Sequence, residues 1–131
     1  MDALLTLRGK IAGFPGYGEM SDRHRADEMV RAYLGEALAR LRERLAPTGD
    51  AGERLDAAIL RTDFTNPKVF GSFESASTDA GTVDRISRAD LAAVELADRA
   101  EGVDAAALPA YIDEVSAALD VRDRAMEAAA G

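Results

Sequence analysis

Apolar side chains recur at intervals of three and four along almost the whole chain. Nowhere do they alternate with polar ones for more than a few residues. This spacing marks amphipathic helices, whereas a half-buried strand would show a period of two. Leu4, Leu7, Ile11 and Phe14 step by three, four and three and define the face of a first helix. Pro15 and Gly16 stop it, because proline pushes the residue before it out of helical geometry. The loop FPGYG (14–18) leads on. Ser21 reads as an N-cap, with Asp22 suited to the positive end of the helix dipole. From there to Leu45 runs the strongest helical stripe, Val30, Leu34, Leu38, Leu41 and Leu45, flanked by Met29, Tyr33 and Ala37. Asp27 with Arg31 and Glu36 with Arg40, each four residues apart, are assigned to its solvent face. Pro47 and Gly49 close it.

A shorter helix is expected over about 51–61, with Leu55 and Ile59 inward. Asn66 followed by Pro67 reads as a cap and first-turn proline. It opens a short segment bearing Val69, Phe70 and Phe73, in which Gly71 weakens the helix. Residues 75–81 are the most loop-like stretch and the candidate internal boundary of a single domain spanning 1–131.

Residues 82–130 read as an antiparallel helical hairpin. Thr82 is the expected cap of a helix through Ala100 bearing Val83, Ile86, Ala93, Val94, Leu96 and Ala97. Gly102 suits the left-handed position past a helix end, Asp104 the next N-cap, and Val103 a staple onto Leu108. Leu108, Ile112, Val115, Leu119 and Met126 follow at four, three, four and seven, with Pro109 a turn in as a kink point. So short a connection lays the two helices side by side. Alanines on both (Ala89, Ala92, Ala93, Ala97; Ala110, Ala117, Ala118) allow close approach. The fold class is therefore all-α: a small antiparallel bundle of four long or medium helices plus one or two short ones.

Composition narrows the chemistry. Of 131 residues 27 are alanine, so larger apolar side chains suffice for one compact core. Cysteine is absent, which removes disulfides, thiolate metal sites and a cysteine nucleophile. The net charge of −8 is uneven. Residues 1–47 carry eight basic and seven acidic residues, and residues 48–131 carry eight and seventeen. The acidic part repels phosphate backbones and anionic lipid, so neither nucleic acid nor a membrane is expected as partner. The longest uncharged apolar stretch, Ala105 to Ile112, is far short of the roughly 20 residues a bilayer requires. Asp2, Arg8 and Lys10 interrupt the N-terminus, which does not read as a signal peptide; the expected compartment is the cytoplasm.

His24, the single histidine, stands three and four residues before Asp27 and Glu28. It is read as a surface residue. The acidic pairs Glu95 with Asp98 and Asp120 with Asp123, followed by Glu127, nominally suit magnesium. Folding the hairpin about residue 103 sets them two turns apart, and Arg85, Arg88, Arg99, Arg122 and Arg124 neutralise them. No metal, cofactor or catalytic residue is therefore expected. Nucleophile-elbow and phosphate-loop motifs are missing.

The aromatics are more informative. Phe14, Tyr17, Phe64, Phe70 and Phe73 all fall in the two irregular stretches, FPGYG and DFTNPKVFGSF. They read first as a plug at an end of the bundle, and any functional surface of the chain is expected to centre on them as its binding site. The function that follows is a non-catalytic interaction or accessory subunit, homo-oligomeric or bound to a protein partner. The alternatives are a small-molecule-binding bundle with its pocket under these aromatics, or a magnesium-dependent hydrolase using the acidic hairpin.

Overall fold

A computed structural model describes residues 2–63 and 79–130. It is 81% helical, with five helices and no strand among the described residues. They are α1 (Ala3–Lys10), α2 (Arg23–Leu45), α3 (Gly49–Arg61), α4 (Ala80–Arg99) and α5 (Leu108–Ala130), with 3-10 turns at Met20–Asp22 and Ala100–Gly102. Cross-links give the directions. Tyr111 Oη donates to the Leu96 carbonyl (2.6 Å), so α5 runs antiparallel to α4. Arg31 Nη1 donates to the Arg61 carbonyl (2.7 Å), and Arg42 pairs with Asp56, so α3 runs antiparallel to α2. Tyr33 Oη reaches Asp98 and Arg44 reaches Ala100, so α2 and α4 point the same way. The result is an up-down-up-down bundle with α1 laid against α4.

Two apolar clusters fill it. One joins Leu34, Leu38 and Leu41 of α2 to Leu55 of α3, Ala93 and Leu96 of α4, and Ile112, Val115 and Leu119 of α5. The other joins Leu7, Ile11, Phe14 and Tyr17 to Val30, Ile86, Val94 and Met126.

Several helix ends differ from the sequence reading. Helix α1 stops at Lys10, and Ile11 is already extended (φ −118°). Gly13 turns left-handed (φ +76°), so Ile11 and Phe14 reach the core from a loop. Ser21 lies inside a 3-10 turn and does not cap α2. Asp79, not Thr82, caps α4: its carboxylate accepts from Thr82 N (2.9 Å) while the Thr82 hydroxyl donates back to it (2.7 Å). Gly102 is not left-handed. The helix tightens into a 3-10 turn, and Val103 N–H closes it on the Ala100 carbonyl (3.1 Å). Pro109 sits in the first turn of α5, where its missing N–H costs no helical bond, so it does not kink the helix. The expected short segment around Pro67 and the loop at 75–78 lie outside the described residues.

Candidate functional site

The interior holds a connected set of charges where a bundle normally places leucine. Asp27 and Arg31 are one turn apart on α2, so they share a face. That face points inward: Arg31 Nε donates to both Asp27 oxygens (3.0 and 3.2 Å). From α5, Arg122 Nη2 donates to Asp27 Oδ1 and Nε to Asp90 Oδ1 of α4, both at 2.6 Å. Tyr17 completes the set, its hydroxyl donating to Asp90 Oδ2 and accepting from Arg122 Nη2 (3.3 Å). Arg122, Asp27 and Tyr17 are each 1% exposed and Asp90 0%. Arg23 is buried one turn before Asp27. On α5 Arg122 falls between Leu119 of the first apolar cluster and Ala125 of the second, and on α2 Arg31 falls between Val30 and Leu34, whereas Asp27 and Asp90 sit among residues of the second cluster.

Burial pushes the Tyr17 phenol well above its ordinary value, and the neighbouring Asp90 charge adds to this. It also raises Asp90, against the pull of Arg122 and the Tyr17 hydrogen bond. For Arg122 burial works against the charge, but Asp90, Tyr17 and Asp27 outweigh it, so its pKa stands well above normal. The guanidinium is thus a fixed cation clamping the 14–18 loop, α2, α4 and α5. Its Nη1 is buried with no hydrogen-bond partner among the described residues. Arg122, Asp27, Asp90 and Tyr17 are closed off from solvent, and the network ties four segments of the chain together.

The five aromatics expected to form a surface are placed as follows. Phe14 is 3% exposed, packed edge-on against Tyr17 with ring centroids 6.1 Å apart, so both are interior. Phe64, Phe70 and Phe73 lie outside the described residues. The acidic pairs do not meet. Asp98 accepts from Lys10 Nζ (2.6 Å) and Tyr33 Oη (2.5 Å), whereas Asp120 and Asp123 both accept from Arg61 Nη2 (2.9 and 3.0 Å). Among the described residues no three His, Asp or Glu gather to hold a metal. No helix there is long and apolar enough to cross a membrane.

The four-residue spacing of Asp27 and Arg31 implies a solvent face and no motif points to Asp90, whereas the structure buries all three together with Arg122. The signal was present. The seven-residue step from Leu119 to Met126 skips the core position that Arg122 occupies. Asp90 likewise fills the gap between Ile86 and Ala93.

No protein family, curated protein or solved structure matches this chain.

Among the described residues three surface grooves remain, the smallest, about 410 Å³, over Gly35, Ile59 and Leu60 beside Arg31. A second, about 670 Å³, runs outside α4 and α5 over Ala89, Ala92, Val121 and Ala125, rimmed by Arg85, Arg88, Arg124 and Asp84. Val121 is 49% exposed on its floor. The third, about 500 Å³, lies between α2 and α4 over Ala37, Leu41 and Ala97, with Tyr33, Glu36, Arg40 and Asp98 on its walls. Arg44 closes one end, its Nη2 donating to the Ala100 and Val103 carbonyls (2.9 and 2.8 Å).

Proposed function

We infer that this chain is a non-catalytic cytoplasmic interaction module, an accessory subunit that docks protein through a helical surface and associates with itself. The groove outside α4 and α5 carries this reading. It sets a half-exposed valine and small side chains between three arginines and one aspartate, on a chain of net charge −8. A local basic rim on an acidic protein attracts acidic protein surface, and this chain's own is one. The Arg122–Asp90 pair behind the groove fixes α4 against α5, which lowers the cost of ordering the surface on binding. Light scattering on the full chain tests the reading. A mass above the 13.9 kDa of one chain is expected at tens of micromolar. Val121→Glu is expected to return it to one chain with unchanged helicity. A one-chain mass at every concentration overturns self-association.

A specific observation favours a second reading, a site for a small zwitterion between α2 and α4. Glu36 and Arg40, spaced to pair, make no ion pair with each other, and both line that groove. Its volume of about 500 Å³ falls in the range of small-molecule sites. Thermal shift with free amino acids and short peptides at millimolar concentration tests it; no shift with any of them removes the reading.

A further inference from the structure

The outer side of α5 carries a repeat of its own, separate from the stripe that faces the core. Ala110, Glu114, Ala117, Val121, Arg124 and Ala128 follow one another at four, three, four, three and four, and all six are exposed. Alternating threes and fours average 3.5 residues, the period of a helix that packs along another helix. The core stripe of Leu108, Ile112, Val115 and Leu119 faces the opposite way and is covered by α2, α3 and α4. Helix α5 therefore has an inner seam satisfied within the chain and an outer seam along which no helix among the described residues packs. The outer seam runs about 27 Å at 1.5 Å per residue.

The order of residues along that seam is complementary to its own reverse. Lay a second α5 antiparallel on the first, with Ala117 opposite the second copy's Val121. Glu114 then falls opposite the second copy's Arg124, and Ala110 opposite its Ala128. Two-fold symmetry makes each pair twice. A parallel arrangement sets Glu114 on Glu114 and Arg124 on Arg124, which repel. An antiparallel shift of one heptad either way leaves Arg124 opposite Ala107 or Val121, with no charge to meet. One register alone satisfies both charges. Alanine and valine at the crossing let the axes approach toward the low end of the ~8–10 Å range. Val121 and Arg124 also line the groove outside α4 and α5, so the second helix comes to lie beside Ala92 and the Arg85–Arg88 rim.

In the single chain Glu114 is held by Arg99 (3.0 and 3.4 Å) on an exposed surface, where an ion pair is worth little and yields readily. Arg124 makes no ion pair among the described residues. We propose that this chain forms a two-fold antiparallel dimer through α5, Glu114 of each copy pairing with Arg124 of the other. The proposal rests on the self-association inferred above and adds its partner, face and register.

Charge swaps on the full chain test it, in an Arg99→Ala background so that no third charge competes. Sedimentation equilibrium is expected to show dimerisation about tenfold weaker for Glu114→Arg and for Arg124→Glu, each of which turns two attractive pairs repulsive. The double variant restores the affinity. The chain lacks cysteine, so an equal mixture of Ala117→Cys and Val121→Cys chains reports register directly. Oxidation is expected to link unlike chains faster than like ones. All these positions are exposed, and circular dichroism verifies the fold of each variant. A dimer that ignores both reversals, a double variant no better than the singles, or faster linking of like chains overturns this interface and leaves the docking module standing. A one-chain mass at every concentration overturns both.

Discussion

Arg122 of α5 donates through Nε to Oδ1 of Asp90 on α4 at 2.6 Å, with neither side chain reaching solvent. The same guanidinium holds Asp27 of α2 through Nη2. One cation thus bridges two buried carboxylates on two other helices, and Arg31, paired with Asp27, supplies the second positive charge. A pair taken fully out of water is weak evidence of net stabilisation, since desolvation offsets the attraction. Removing one partner is a different matter, because it strands the other charge.

Arg122→Met is therefore expected to cost roughly 3–5 kcal/mol, the range for stranding a buried charge. Asp27 keeps Arg31, but Asp90 keeps only the Tyr17 hydroxyl. Urea denaturation of both proteins reads the loss. An unchanged midpoint would mean that Asp90 finds another cation.

Tyr17→Phe separates the hydroxyl from the ring. The edge-on contact with Phe14 survives, while Asp90 loses a donor, at an expected cost of about 1–3 kcal/mol. Tyr17→Ala removes both and is expected to cost about 3–5 kcal/mol, as aromatic truncation in a core does. Equal losses from the two variants would show that the hydroxyl carries the whole effect.

The tyrosines fix an alkaline limit. Burial raises Tyr17 well above its ordinary value and Tyr111 to about 12, and the hydrogen bond to Asp98 takes Tyr33 to about 12. A raised phenol pKa means that the folded state holds its proton more tightly than the unfolded chain. The stability this contributes is complete below the unfolded value of about 10 and is lost as pH climbs beyond it. Stability is thus expected to fall above about pH 10, less steeply in Tyr17→Phe. Tyrosinate absorbance is expected to show no step at the free-tyrosine value. A full-amplitude step at about 10 would contradict the burial.

Two glycines are expected to respond in opposite senses. At Gly16, with φ +78°, an added Cβ would lie 2.9 Å from Leu4 Cδ1, so Gly16→Ala strains the backbone and displaces Leu4. A loss of about 1–3 kcal/mol follows. At Gly102 the backbone is not left-handed and a Cβ meets nothing within 4 Å. Gly102→Ala is expected to gain about 0.4–1 kcal/mol by restricting the unfolded chain. Thermal midpoints of the two variants, moving apart, are the check.

The fold was largely legible because its stripes are long and regular. Val30, Leu34, Leu38 and Leu41 repeat over three turns, and Leu108, Ile112, Val115 and Leu119 do the same. Asp104 caps the turn before α5 as its position implies, accepting from Ala107 N (2.8 Å). The interior ion network was not legible, because a charged residue in a stripe reads as an interruption. Asp27 and Arg31 have the spacing of a solvent-exposed pair, and only their neighbours in space show that it faces inward. Helix ends misled for a related reason. Gly102 has the composition of a left-handed cap, yet the helix ends in a 3-10 turn closed by Val103 N–H on the Ala100 carbonyl, to which Arg44 of α2 also donates.

That last arrangement has a consequence for how the molecule opens. Arg44 seals the Ala100 and Val103 carbonyls, so the hairpin turn between α4 and α5 is closed by a side chain from 56 and 59 residues upstream. Arg44 braces the turn while the far end of α2 stays wound, and unwinding α2 there takes the guanidinium from both carbonyls, leaving the Ala100 carbonyl only its bond from Val103 N–H. Amide hydrogens at the end of α2 and those of the turn should therefore exchange with solvent together, as one cooperative unit that joins the first half of the chain to the second.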